Sequence, residues 1–128
     1  MLDLIKDSGR FVVDVAQASE YYYWEGTLLA GQTFYSPVLD IQGKARVAYL
    51  WVNRSTSVGN MTSMGLHVSY AQDFHVSFVR ASSSNVAPGG TGAGDIVSPA
   101  RFIRFYVIAD GTNGDHNFVI LAAIHPVS

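Results

Sequence analysis

Short stretches with a strand-like alternation of apolar and polar residues, separated by turn-forming residues, dominate this 128-residue chain. One of them, residues 45–53, reads Ala-Arg-Val-Ala-Tyr-Leu-Trp-Val-Asn and is rich in residue types with high β propensity. The pattern predicts about eight strands, at residues 21–29, 33–41, 45–53, 64–71, 74–81, 95–98, 101–109 and 117–124. Because no helical segments alternate with them, the sequence predicts an all-β fold, an antiparallel β-sandwich resembling a jelly roll.

The composition and charge of the chain favour some classes of protein function and argue against others. Hydrophobic residues make up 48% of the chain and charged residues only 14%, whereas ordinary domains carry about 25% charged residues. Such a low charge density in a small domain indicates that neighbouring molecules cover part of the surface. A net charge of −2, with the basic residues scattered, argues against a nucleic-acid partner.

The first 20 residues differ from the rest and are expected to form an N-terminal arm, followed by a β-sandwich domain at residues 21–128. Four of the ten acidic residues lie in this arm, and Ser8-Gly9 interrupts any helix near its middle. Its charges also break up any apolar run, so we expect neither a signal peptide nor a membrane partner. The arm residues expected to contact a partner are Leu2, Leu4, Ile5, Phe11 and Val13.

The densest aromatic cluster follows the arm, at Tyr21, Tyr22, Tyr23 and Trp24. Side chains alternate between the two faces of a strand, so about two of these four are expected to pack inward. Tyrosine and tryptophan are common at protein interfaces, and they also stack on sugars. Few polar side chains accompany these rings in the sequence, which favours a protein partner for the whole cluster.

Motifs for catalysis, metals and cofactors are weak. The chain has no cysteine, which excludes disulfides, thiol nucleophiles and cysteine-ligated zinc. His67 and His75 could face each other across a hairpin, but two polar positions on a sheet surface are the favoured interpretation. We therefore predict no catalytic, metal or cofactor site and expect no enzyme activity, with a small β-sandwich hydrolase using these histidines as the remaining rival.

Two segments partly resemble a phosphate-binding loop and a calcium-binding loop, but the sequence does not favour a binding site in either. Residues 82–94 are rich in serine and glycine but lack the lysine and following helix of a phosphate-binding loop, so a mobile hairpin-like or inter-sheet loop is predicted. Residues 110–115 read Asp-Gly-Thr-Asn-Gly-Asp, but no glutamate follows to close a calcium loop. Since Asn-Gly favours the tight turn of a hairpin, we predict a hairpin turn there.

Two stretches resemble a family. Residues 28–43, Leu-Leu-Ala-Gly-Gln-Thr-Phe-Tyr-Ser-Pro-Val-Leu-Asp-Ile-Gln-Gly, are similar to the opening of small β-sandwich domains in virion proteins of tailed bacteriophages. Residues 100–107, Ala-Arg-Phe-Ile-Arg-Phe-Tyr-Val, together with Asn113-Gly114 and the apolar residues 118–124, resemble the closing hairpin of the same domains.

The resemblance implies a structural virion protein, and the single small domain favours a capsid decoration (cement) protein. Such a protein would bind the major capsid protein on the capsid exterior, after synthesis in the host cytoplasm. It would act as a homo-oligomer, expected as a trimer, and stabilise the shell. The alternatives are a phage tail or spike accessory, or a carbohydrate-binding module. In that module, exposed tyrosine and tryptophan side chains and the loops at residues 53–63 and 82–94 would contact host glycans, and replacing Trp24 or Trp51 would test the contact.

Overall fold

The computed structural model describes residues 20–42, 45–56, 58–98 and 100–126, together with the backbone of residues 9–12. It contains ten strands: β1 (Gly9–Val12), β2 (Glu20–Leu28), β3 (Thr33–Tyr35), β4 (Leu39–Asp40), β5 (Ala45–Asn53), β6 (Met61–Ser69), β7 (Ser77–Val86), β8 (Thr91–Ser98), β9 (Phe102–Ala109) and β10 (His116–Pro126).

The strands form two antiparallel sheets that pack face to face. Sheet 1 has the order β1-β2-β10-β5-β8, and sheet 2 has the order β3-β9-β6-β7, with β4 also paired to β9. From β4 onward, most successive strands cross from one sheet to the other, which is the connectivity of a jelly roll. The predicted all-β sandwich is therefore confirmed, with every strand pair antiparallel.

The core between the sheets contains large aromatic and aliphatic side chains from both of them. Trp24 and Trp51 of sheet 1 are only 1% and 2% exposed, and Phe105 of sheet 2 is fully buried. The Trp24 ring lies 5.7 Å from that of Phe105, and the Trp51 indole nitrogen donates a hydrogen bond of 3.0 Å to Ser83. These contacts join the two sheets across the sandwich.

Two of the ten strands were not predicted as such. β1 lies within the predicted arm and pairs with β2 at the edge of sheet 1, although the sequence suggested that the arm stands apart from the sheet. The predicted strand 33–41 is divided into β3 and β4 at Ser36 and Pro37. Proline has no backbone N–H for the ladder, and the Ser36 hydroxyl instead accepts a 2.8 Å hydrogen bond from the Phe105 amide.

The glycine-rich segment 82–94 is mostly strand, which corrects the prediction of a mobile loop. β7 continues to Val86, and β8 begins at Thr91 in the other sheet, so only residues 87–90 make the inter-sheet turn. Gly92 and Gly94 lie in β8, where an added Cβ would collide with the rings of Trp51 and Tyr49. These glycines make room for core aromatic rings, a role that composition alone does not distinguish from flexibility.

Three other local predictions are wrong. The predicted strand 74–81 begins only at Ser77, because Phe74 has a left-handed backbone (φ 58°) in the turn after β6. The strand predicted at residues 64–71 begins three residues earlier, at Met61, and ends at Ser69. The turn at residues 110–115 does not close a hairpin, because β9 and β10 belong to different sheets.

Candidate functional site

The aromatic cluster at the start of the domain is divided between the two faces of β2. Tyr22 and Trp24 belong to the core cluster, and their rings stack at 5.5 Å. Tyr21 and Tyr23 point to the opposite, outer face of sheet 1, as strand alternation predicts. The Tyr23 hydroxyl donates a hydrogen bond of 2.8 Å to Glu25 on that face.

An apolar groove of about 330 Å³ crosses the outer face of sheet 1. Antiparallel register places Tyr21, Ala123, Ala48 and Asp95 in one row across the four strands. Two residues away along each strand, Tyr23, Leu121, Leu50 and Ala93 form a second row on the same face. The groove lies between these rows, where its lining also includes Tyr22, Ala122, Tyr49 and Gly94. We call this surface the tyrosine face; it consists of Tyr21, Tyr23, Ala48, Leu50, Ala93, Leu121 and Ala123.

Charge is confined to the margin of the tyrosine face. At one end, Arg46 of β5 donates from Nε to both carboxylate oxygens of Asp95 in β8, at 3.0 and 2.9 Å. This exposed pair neutralises itself at the β8 end of the row that contains Tyr21, and the rest of the two rows is tyrosine, leucine and alanine. Such a surface suits burial against another protein better than binding of a charged small molecule.

The sequence singled out β2 but missed the contributions of β5 and β10 to this face. A signal was present, because residues 47–52 and 118–124 are apolar at nearly every position instead of alternating. Continuous apolar runs are typical of strands whose two faces are both covered.

The predicted contact residues in the arm are only partly described. Phe11 lies in β1 and pairs through its backbone with Tyr21. Leu2, Leu4, Ile5 and Val13 lie outside the described residues. Their role as contact residues remains a prediction.

The two tryptophans of the glycan-binding alternative both lie in the core, at 1% and 2% exposure for Trp24 and Trp51. A sugar cannot stack on either ring without opening the sandwich. Replacing them would test folding and not glycan binding.

The histidines of the hydrolase alternative are also apart. His67 in β6 is paired in register with Val79, whereas His75 lies in the turn after β6 and contacts the Asp73 carboxylate through Nδ1 at 2.5 Å. Across the described ranges, no three His, Asp or Glu side chains come together in a group that could hold a metal ion.

A buried histidine fixes the turn between β9 and β10. His116 is fully buried, with Nδ1 at 3.0 Å from the Gly114 carbonyl and Nε2 at 2.9 Å from the Asp110 carboxylate. The His116 hydrogen bond, aided by the Thr112 amide, lowers the pKa of Asp110 below the usual value for an aspartate. In the segment 110–115, which has a partial likeness to a calcium loop, the first carboxylate is therefore hydrogen-bonded within the fold, to Thr112 and His116.

The Asp110 contact predicts a pH dependence of stability. Because its folded pKa is lowered, ionised Asp110 stabilises the fold above about pH 4, and this contribution is lost as the pH falls through the folded pKa. Asp110→Asn should therefore lower the melting temperature at pH 7, with a smaller difference from the wild type at pH 3. Thermal unfolding at both pH values measures this, with the exposed Asp115→Asn as the control; an equal difference at both pH values would contradict it.

Among the described residues, no helix is long and apolar enough to cross a membrane.

Comparison by sequence finds no matching family model and no matching curated protein. Comparison by structure finds clear likeness. The crystal structure of the PBSX exported protein XepA matches with a TM-score of 0.64 and 15% identity, over 100% of this chain and 41% of that one. A protein of Bacillus endospore appendages, which form disulfide-linked pili, matches with a TM-score of 0.55 and 12% identity, over 99% of both chains.

A chain of infectious bursal disease virus, Gx strain, matches with a TM-score of 0.50 and 14% identity, over 91% of this chain and 33% of that one. The present chain thus spans less than half of XepA and a third of the viral chain, but nearly all of the appendage protein. At these identities the likeness establishes the fold: the chain is a jelly-roll domain of a kind also found in an exported protein, a pilus protein and a virus.

Proposed function

We propose that this chain is a structural virion protein of a tailed bacteriophage, a capsid decoration protein that binds the outer capsid surface as a homo-oligomer. The observation that carries the proposal is the tyrosine face. It offers a groove of about 330 Å³ lined by tyrosine, leucine and alanine, on a domain in which charged residues are only 14% of the sequence.

The groove supports a structural role because its chemistry suits broad burial. Its rows lie on four adjacent, hydrogen-bonded strands, so the surface is rigid and loses little conformational freedom on docking. Tyrosine supplies large contact area with a polar tip, as expected at the centre of a protein interface. The major capsid protein is the partner proposed for this face and for the arm.

Oligomerisation would make a modest interface effective. A trimer presents three identical tyrosine faces, and binding of the first raises the effective concentration of the others at the capsid surface. Repeated over the shell, such contacts would bridge neighbouring capsid subunits. The appendage and virus likenesses support this use of the fold, since a pilus is an assembly of many copies.

Leu50→Asp should reduce co-sedimentation with purified capsids at least about tenfold, because it places a charge among the apolar rows of the tyrosine face. Leu29→Asp is the matched control, since Leu29 is 69% exposed in the turn after β2, away from this face. Circular dichroism of both variants establishes that the sandwich is folded. Unchanged binding of a folded Leu50→Asp variant would refute the role of this face.

Deletion of residues 1–8 examines the arm separately. This deletion retains β1, whereas deletion of residues 1–15 would also remove β1 from the edge of sheet 1. We expect the shorter deletion to leave a folded sandwich with weaker capsid binding. Unchanged co-sedimentation would remove residues 1–8 from the proposed contact.

A further inference from the structure

The outer face of sheet 2 holds an arginine between two aromatic rings. The Arg104 guanidinium carbon lies 4.1 Å from the centre of the Tyr35 ring and 4.6 Å from the centre of the Phe74 ring. Its Nε is buried and has no hydrogen-bond partner in the described part of the chain. Rings stabilise the cation from its faces, but they offer no acceptor to its N–H groups.

His67 lies beside this arginine, since the two residues are register partners in β6 and β9. The His67 ring stacks on that of Tyr106 at 4.4 Å, and its Nδ1 is likewise buried without a hydrogen-bond partner among the described residues. Burial, with a smaller effect from the Arg104 charge, lowers the pKa of His67, so the imidazole is neutral at pH 7. Within the described part of the chain, two neighbouring buried nitrogens, Arg104 Nε and His67 Nδ1, therefore both lack hydrogen-bond partners.

The surrounding strands provide no countercharge. β3, β6, β7 and β9 contain no aspartate or glutamate, and their arginines are Arg80 and Arg104. The nearby carboxylates are engaged elsewhere, Asp73 with His75 and Asp40 with Arg101. Asp40 of β4, the one acidic residue among the strands of this sheet, is paired with Arg101, so no free carboxylate on these strands faces the Arg104 guanidinium, which favours an anionic ligand.

The turn after β6 holds one wall of this site in a strained conformation. Phe74 has φ 58°, a left-handed backbone that is costly for a residue other than glycine. The Ser69 hydroxyl stabilises the turn, contacting the Val76 carbonyl at 2.6 Å and the Ala71 carbonyl at 2.8 Å. The fold thus maintains a strained turn that places the Phe74 ring against Arg104.

We propose that Arg104, flanked by His67, binds the carboxylate of an acidic side chain that a protein partner presents on an apolar segment. Guanidinium binds carboxylate through paired hydrogen bonds, and no carboxylate of the described residues forms an ion pair with Arg104. The apolar rim favours a protein partner, because Tyr35, whose ring lies against Arg104, and Val79, the register partner of His67, are both 50% exposed. This surface lies on the opposite sheet from the tyrosine face, so the inference does not depend on the proposed function.

The test uses phenylacetate as a probe, because it joins a carboxylate to an apolar ring. Its amide, phenylacetamide, has the same shape without the charge. In nuclear magnetic resonance titrations of the full chain, phenylacetate should shift the signals of Arg104 Nε and of the His67 ring in a saturable way. Phenylacetamide should bind at least about tenfold more weakly.

Variants establish that the response comes from this site. Arg104→Gln should abolish the difference between the two probes, and Arg104→Lys, which retains the charge, should preserve part of it. Arg80→Gln is the matched control, because Arg80 lies on the same sheet at an exposed position and should leave the difference intact. If Arg104→Gln does not fold, the comparison of Arg104→Lys with Arg80→Gln decides whether the difference in affinity between the two probes depends on Arg104.

Two results would overturn the proposal. Equal affinity for both probes, or absence of any saturable shift at Arg104 and His67, would mean that the site does not recognise carboxylate. Saturable binding of glucuronate without binding of phenylacetate would assign the site to an acidic sugar and not to a protein side chain.

Discussion

Trp24→Ala should lower the free energy of unfolding by about 3–5 kcal/mol, the range for truncating a large aromatic side chain in a core. Trp24 is 1% exposed, stacks on Tyr22 at 5.5 Å and packs against Phe105 of the other sheet at 5.7 Å. Its removal would leave a cavity at the centre of the sandwich. Because small domains are stable by only about 5–15 kcal/mol, this loss removes a large share of the total stability.

Urea unfolding followed by circular dichroism measures the effect of Trp24→Ala. Tyr21→Ala provides the comparison three positions earlier on the same strand, where the side chain points to the outer face. We expect the Tyr21 variant to lose less than about 1.5 kcal/mol. Equal losses for the two variants would contradict the assignment of Trp24 to the core and Tyr21 to the tyrosine face.

Asn53→Ala should destabilise the fold by about 3 kcal/mol, because it leaves several buried backbone groups without partners. Asn53 is fully buried at the end of β5. Its amide nitrogen donates to the carbonyls of Gly59 and Val86, both at 2.8 Å, and its oxygen accepts from the Ser55 amide at 3.0 Å. One side chain therefore ties the β5–β6 loop to the end of β7.

Urea unfolding followed by circular dichroism also measures the stability of Asn53→Ala. The control is Asn60→Ala, because Asn60 is exposed. Asn53→Asp adds a second comparison, since a carboxylate keeps the acceptor for Ser55 but loses both donated bonds. We expect Asn53→Asp to be destabilised and Asn60→Ala to remain within about 0.5 kcal/mol of the wild type. If Asn53→Ala were as stable as the wild type, these hydrogen bonds would make no net contribution to the free energy of unfolding.

The strands that sequence predicted best are those in which residue pattern and tertiary environment agree. Residues 45–53 form β5 with the predicted bounds, and residues 117–124 lie within β10. Both segments combine β-branched and aromatic residues with flanking turn signals, so local propensity alone identifies them.

The errors arise where long-range packing outweighs local preference. Gly92 and Gly94 are read as flexible in sequence, but in β8 they lie beneath the rings of Trp51 and Tyr49, contributed by a strand some forty residues earlier. The turn at residues 110–115 looked like a hairpin because nothing local indicates that β9 and β10 belong to different sheets. Pairing between distant strands is not encoded in any single window of sequence.

The two proposed interaction surfaces were predictable from the sequence to different degrees. The tyrosine cluster stood out as a dense aromatic run, and strand alternation then assigned Tyr21 and Tyr23 to one face. The Arg104 site was not predictable, because Tyr35, His67, Phe74 and Arg104 come from four separate segments that only the fold brings together.

The proposed function is tested most directly by the copy number of this protein in purified particles of the proposed source phage. Quantitative mass spectrometry against the major capsid protein should give one copy per capsid subunit, or a simple fraction of that ratio repeated over the shell. A handful of copies per particle, or none, would contradict a capsid decoration role; a handful would indicate a tail or spike component instead.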